Sequence, residues 1–315
     1  MADFQIIRYD DSWKNEWDAF IKDSKNGTFL FRRDYMDYHS DRFHDNSLIF
    51  LSKKSIIAVL PASSSGVVFS SHAGLTYGGL VMARTITAID VLEIFQMIMS
   101  YLSGNGFSTF IYKPIPHIYH KIPAEEDLYA LFRLNASLVA RGLSSTILQE
   151  DRLKFRNIRK YGIRKALKNN VYVEQTSDFS AFWQILESNL ALRHGTTPVH
   201  SLREIELLAS RFLDEIKLYV AKINQRVLAG VVVYLTDTVA HSQYISASPE
   251  GRELGALDLI FDYLINDLYS GSRYFDFGIS TEHDGFYLNE SLAYQKEGFG
   301  GRSICYDRYE LRIST

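Results

Sequence analysis

Apolar positions along this chain follow two periods. Leu257, Ile260, Phe261, Leu264, Ile265 and Leu268 are spaced 3, 1, 3, 1 and 3, which predicts an amphipathic helix closed by Gly271. Ile89, Leu92, Phe95, Gln96, Met99 and Leu102 fall near the same period. Asp90 and Glu93 suit the start of that helix, and Gly104 and Gly106 suit its end. A β-rich run follows each helix, Phe107–Tyr112 in one case and Tyr274–Ile279 in the other. Strand patterns also precede them: Ile56–Ala62 and Leu80–Ala83, then Val227–Leu235 and Val239–Ser246. The order strand, strand, helix, strand therefore occurs twice. It predicts an α/β (α+β) architecture with a mixed sheet in each of two halves. Leu128–Arg141 reads as a helix and Leu143–Leu148 as a short strand. The boundary is expected near Ser144–Glu150, giving halves of residues 1–150 and 151–315. The join has no Pro/Gly/Ser-rich linker, so the halves are expected to pack together.

Composition narrows the class. The chain has 315 residues, 46% of them hydrophobic, enough for a sizeable core and too many for disorder. Net charge is −3, so the chain as a whole is not a polyanion binder. Cys305 is the single cysteine. It excludes an internal disulfide and a cysteine zinc cluster, and fits a reducing compartment. The histidines show no metal-ligand spacing, and no metal is expected. No run approaches the ~20 apolar residues of a membrane helix, and no secretory leader is visible. A cytoplasmic location is the expectation.

One local charge feature stands against the bulk balance. Arg152, Lys154, Arg156, Arg159, Lys160, Arg164, Lys165 and Lys168 occur without an acid between them. Leu153, Phe155, Ile158, Ile163 and Leu167 give the same segment an apolar stripe, so a helix is expected. The run is read either as a solvated face or as a grip on an anionic partner: coenzyme A, a phosphorylated or lipid-linked acceptor, or tRNA.

The candidate chemistry lies in the second half. On Tyr274–Ile279, Asp276 alternates with aromatic residues, so an acid is expected in an apolar setting. Burial there would raise its pKa and suit it to take a proton; the alternative is a structural Asp held by hydrogen bonds. Glu282, just past the strand end, is a second candidate base. His241, Gln243 and Ile245 alternate on the preceding strand, and His241 and Gln243 are candidates to face the same cleft. Ser248–Leu257 joins a strand to a helix through Gly251 and Gly255. Such a turn can bind phosphate through free N–H groups, or use glycine for geometry alone.

Two motifs and their order carry a family resemblance. Arg252-Glu253-Leu254-Gly255 resembles the acyl-CoA pattern Gln/Arg-x-x-Gly-x-Gly/Ala of the GNAT superfamily, with Leu257 where the last small residue stands. Tyr294-Gln295-Lys296-Glu297-Gly298-Phe299 resembles the GNAT segment Tyr-Glu-Lys-x-Gly-Phe, and Asn289 resembles the asparagine that opens it. The doubled element order, the basic run at the join and Phe182–Glu187 with Arg193-His194-Gly195 resemble the Fem-type aminoacyl transferases, which have two GNAT-like halves.

The resemblance implies an acyltransferase of tandem GNAT-like fold. Its donor would be an acyl-CoA such as acetyl-CoA, and its acceptor an amine of a small molecule, sugar or cell-envelope precursor. The donor site would comprise Tyr244, Ser246, Ala247, Gly251, Arg252, Gly255, Ala256 and Asn289. A backbone N–H near Tyr244–Ala247 would polarise the carbonyl, and Tyr294 would protonate the leaving thiolate. Arg193, His194 and His200 would line the acceptor site, and the first half would be a supporting wall. Two alternatives remain: an aminoacyl-tRNA-dependent Fem-type enzyme gripping tRNA through Arg152–Lys168, and a non-catalytic binding module that kept the fold.

Overall fold

A computed structural model describes residues 4–313, apart from the side chains of residues 193 and 194. The chain forms two compact units. The first comprises residues 1–142, 281–287 and 305–315, and the second residues 143–280 and 288–304. The sequence is therefore not divided by a single cut near residue 150. Strand continuity is the physical reason, because two long strands each contribute residues to both units.

In the first unit, β1 (Phe4–Arg8), β2 (Leu48–Ser52), β3 (Ser55–Leu60) and the later β5 (Val81–Met82) pair antiparallel in the order β1-β2-β3-β5. β4 (Val68–Ser70) lies parallel to β6 (Thr109–Tyr112). Helix α1 (Ala88–Gly104) starts with a capping box between Thr87 and Asp90, which satisfies two of its orphan N–H groups. Its apolar stripe of Val91, Ile94, Phe95, Ile98 and Leu102 is buried in one core with Phe50, Leu60, Phe110 and Tyr112.

The expected helix over Leu128–Arg141 is much shorter. Helix α2 is Glu126–Arg133, and Ser137–Leu148 is the long strand β7. Asn135 is the cause: it takes a left-handed conformation with φ 55°, and the N–H of Ala136 reaches back to Leu131 O at 3.0 Å. That closure stops a helix.

The first unit also buries titratable groups, with a consequence for acid stability. Burial pushes His72 down to about 3 and His120 down to about 4, from an ordinary 6.5. Burial pushes Asp127 up to about 6 from 3.8, although Tyr112 Oη donates to it at 2.7 Å. As pH falls below 6.5 the unfolded chain takes up protons at both histidines and the folded chain does not. Asp127 acts oppositely between 6 and 3.8, since the folded state protonates first. Asp18 and Asp37, also raised by burial, act with Asp127, but the two histidines carry the largest shifts among the unit's groups that titrate in this range and set a net decline. The melting temperature should fall steadily from pH 7 to pH 4, and His72→Phe should flatten that slope.

In the second unit the strands run β8 (Tyr172–Thr176), β9 (Ile216–Ile223), β10 (Arg226–Leu235), β11 (Val239–Ala247), β12 (Tyr274–Ile279), then residues 143–148 of β7. All pairs are antiparallel except β11 with β12, which are parallel over 239–241 and 274–276 only. Beyond His241 the two strands part. On its other edge β12 pairs with β7 through Asp276, then slips before Ile279. Gly278 occupies that irregularity at φ 75°, a conformation open to glycine at little cost.

Helix α3 (Asn157–Lys168) packs on α7 (Ala256–Asp262), which continues as a π-helix through Leu268. The predicted helix over 257–268 is thus present, preceded by a separate short helix α6 (Pro249–Leu254). Gly255 joins the two at φ 75°, and a Cβ there would stand 2.5 Å from Gly162 O of α3. The glycine is required by helix–helix approach as well as by backbone conformation. Gly255→Ala should cost about 2–4 kcal/mol from left-handed strain and overpacking, read as a lower denaturation midpoint with an unchanged m-value.

Candidate active site

The parting of β11 from β12 opens a cavity of about 610 Å³ in the second unit. Ile245, Ser246 and Ala247 of β11 form one wall and Phe277 of β12 another. Gly251, Arg252, Gly255, Leu257 and Asp258 line it from α6 and α7. The rest comes from Ile158 and Arg159 of α3, from helix α4 (Ser180–His194), and from helix α8 (Glu290–Glu297). Over 242–247, β11 has no β12 partner. Its alternate backbone groups on that side are outside the β11–β12 ladder, and Ala247 O is taken by the Asn189 and Arg252 side chains.

Lys296 of α8 is the most unusual lining group. It is 5% exposed, and its Nζ donates to Gly278 O at 2.8 Å and Ile279 O at 2.7 Å. An ammonium carries three donors, so two are taken by the β12 irregularity and one remains. Burial pushes its pKa down to about 8, opposed by the charge of Asp276. Tyr294 stands two residues earlier on α8, 56% exposed on the cavity wall. Arg156 lies over its ring, with Cζ 4.5 Å from the centroid.

Asp276 is fully buried. Its Oδ1 accepts from Ser144 Oγ at 2.5 Å and Thr146 Oγ1 at 2.6 Å, and its Oδ2 accepts from His241 Nδ1 at 2.7 Å. Burial alone would raise this carboxyl. The His241 hydrogen bond and charge, with the two hydroxyls, hold it below the usual range instead. The expected raised pKa is thus reversed: Asp276 is a held carboxylate and a poor proton acceptor. Glu282 is exposed and belongs to the first unit.

The expected donor residues divide in two. Ser246, Ala247, Gly251, Arg252 and Gly255 line the cavity; Tyr244, Ala256 and Asn289 are not among its lining residues. Tyr244 is buried beneath Trp183, with His200 Nδ1 at its hydroxyl. Ala256 is buried in the core. Asn289 caps α8, its Oδ1 accepting from Leu292 N at 3.1 Å. Arg252 bonds Ala247 O at 2.6 Å and Asn189 Oδ1 at 3.2 Å, which locks the α6 turn against β11.

Among the expected acceptor residues, His200 is buried with Tyr244, His241 is tied to Asp276, and Gln243 is half-buried away from the cavity lining. Arg193 and His194 end helix α4, and their side chains lie outside the described residues.

Sequence reasoning missed several site groups. Asn189 bridges α4 to Ser246 Oγ at 2.7 Å and Ala247 O at 2.9 Å. Asp258 pairs with Arg159 at 2.7 Å, and burial raises its pKa despite that partner. Ser144 and Thr146 share a strand face two residues apart, the one sequence signal that they could serve a common acceptor. Lys296 sat inside a recognised motif without being assigned a role. Among the described residues no three His, Cys, Asp or Glu side chains gather as a metal set, and no helix is long and apolar enough to cross a membrane.

Residues 154–287 match the family described as Acetyltransferase (GNAT) domain. The fold over nearly the whole chain is that of FemX, with TM-score 0.69 and 10% identity, covering 98% of this chain and 97% of that one. The C-terminal domain of a putative lysylphosphatidylglycerol synthetase from Agrobacterium fabrum gives TM-score 0.63 at 12% identity, over 96% and 92%. A conserved protein of unknown function from Bacteroides thetaiotaomicron gives 0.62 at 11%, over all of both chains. No curated protein matches the sequence significantly. The parted strands lie within the stretch that matches the acetyltransferase (GNAT) domain, and that stretch is set in a chain-long fold similar to that of FemX.

Proposed function

We propose that the second unit moves an acyl group from a thioester donor, acyl-CoA, to an amine of a small-molecule, sugar or envelope-precursor acceptor by direct attack. The observation that carries this reading is the buried Lys296 ammonium on the wall of the cavity, with one donor unused. A cation held in a low-dielectric wall stabilises the oxyanion that forms when an amine attacks a carbonyl. The nitrogen–carbon bond forms and the carbon–sulfur bond breaks. Tyr294 protonates the thiolate, and the amine proton returns through water to the phenolate. Asp276 and His241 position the strand that holds Lys296 and transfer no proton. The expected second base, Glu282, and the acceptor contacts at Arg193 and His194 remain proposals for the same reaction.

A specific observation favours a second donor. Leu257 lines the cavity where the pyrophosphate of coenzyme A would approach, and its side chain keeps a phosphate from backbone that a small residue there would expose. An aminoacyl ester carried on tRNA needs no pyrophosphate at that turn. Thermal shifts with acetyl-CoA and with charged tRNA separate the two, since a ligand at 100 times its Kd adds about 2.7 kcal/mol. A shift with acetyl-CoA alone supports the thioester. A shift with charged tRNA alone supports the ester. No shift with either would remove both and leave a non-catalytic binding fold.

A further inference from the structure

Helix α3 divides its side chains sharply. Gly162, Ile163 and Ala166 are buried against the second unit's core, and Arg159 turns inward to Asp258. The outward face carries Lys160, Tyr161, Arg164, Lys165, Leu167 and Lys168. None of its four cations forms an ion pair among the described residues. No acidic residue occurs between Arg152 and Asn170.

The same face exposes apolar side chains that a solvated helix would bury or replace. Tyr161 is 62% exposed, Leu167 56%, Ile158 52%, and Leu153, just ahead of the helix, 47%. Exposed aliphatics beside unpaired cations, on a face that the core leaves uncovered, suit a helix lying at a bilayer interface. Its apolar groups enter the headgroup–acyl boundary and its Lys and Arg stay with lipid phosphates. A tyrosine suits the same depth.

We infer that the outward face of α3 docks the protein on an anionic phospholipid bilayer. RNA fits this face less well. Phosphates would engage the cations, but Leu153, Ile158 and Leu167 gain nothing from a sugar–phosphate backbone, and one tyrosine makes a single stacking platform. A second copy fits less well still, because the face would meet its own charge. The remainder of the chain is acidic, since eight cations in Arg152–Lys168 leave a net charge of only −3. An anionic surface therefore repels the rest of the molecule and selects this face. Ile158 lines the cavity as well as the exposed surface, so docking would hold the cavity close to the bilayer.

The test is co-sedimentation of the full-length protein with phosphatidylglycerol–phosphatidylcholine vesicles, against phosphatidylcholine alone. Wild-type protein should bind the anionic vesicles, stay free of the neutral ones, and be released by 1 M salt as in ~3 Å screening. Lys160→Gln/Arg164→Gln/Lys168→Gln should lower the partition coefficient about a hundredfold. Leu153→Ser/Leu167→Ser should lower it about tenfold with salt sensitivity retained. Both variants should melt with the wild type, since the side chains are exposed. Wild-type protein that ignores anionic vesicles overturns the inference. So does a charge variant that keeps vesicle binding, or one that loses tRNA binding in a gel shift while vesicle binding was never present.

Discussion

Lys296→Met should lower kcat by about 10²–10³-fold, the usual loss when a donor to a developing oxyanion is removed. Methionine keeps the length and apolar volume of the stem and removes only the charge and its donors. The donor KM should change little, because the oxyanion exists only along the reaction path. The wild-type pH profile carries a matching signature. Burial sets the Lys296 pKa at about 8, and the protonated form is the active one, so kcat should fall as pH rises through 8. In the Met variant that alkaline limb should vanish from the residual rate. Lys296→Arg is a sharper control. It retains the charge, but a planar fork does not reproduce the geometry of an ammonium set between Gly278 O and Ile279 O. Full activity in Lys296→Met would remove Lys296 from the chemistry and with it the reading of the cavity as the transfer site.

The parts of this architecture that were legible in the sequence are those set by local period. The spacing of Leu257 to Leu268 announces a helix, and the alternation of Tyr274 to Ile279 announces a strand with Asp276 on one face. The losses share a different character. Helix α2 stops at Arg133 because Asn135, two residues on, is left-handed, which an apolar count over Leu128–Arg141 does not register. Gly255 reads equally well as a phosphate turn or as a packing glycine, and only the nearness of Gly162 O supplies the packing requirement. Asp276 shows most clearly what a sequence withholds. Its neighbours along the strand are aromatic and argue for a raised pKa. Its partners across the sheet are Ser144, Thr146 and His241, and they decide the sign.

Asp276→Asn is the second decisive variant, since it separates a base from a group that positions. The carboxylate collects three donors in a fully buried site. Deleting it outright, as in Asp276→Ala, leaves two hydroxyls and an imidazole N–H without an acceptor and should cost about 3–5 kcal/mol. The amide is milder. Its oxygen can keep both hydroxyls, and His241 can present a bare Nδ1 to the new NH₂ by changing tautomer. A loss of about 1–3 kcal/mol follows from exchanging charged for neutral hydrogen bonds. That loss carries a pH dependence of fixed sign. The native carboxyl is held below its ordinary 3.8, so its stabilisation is present above that value and lost as pH falls through the native pKa. The melting temperatures of wild type and Asp276→Asn should therefore converge in acid.

The kinetic outcome is the discriminating one. A catalytic base replaced by an amide abolishes turnover at every pH. A carboxylate whose charge helps keep Lys296 protonated does something else when neutralised: the ammonium loses the opposite charge that works against the effect of burial, and its pKa drops. Asp276→Asn should then show an alkaline limb displaced below 8, with kcat recovering toward wild type as the buffer is made more acidic. Recovery at pH 6 assigns Asp276 to positioning Lys296. A uniform loss from pH 6 to pH 9, in protein that remains folded, would make Asp276 the base after all and require the lowered carboxyl to be raised by bound substrate.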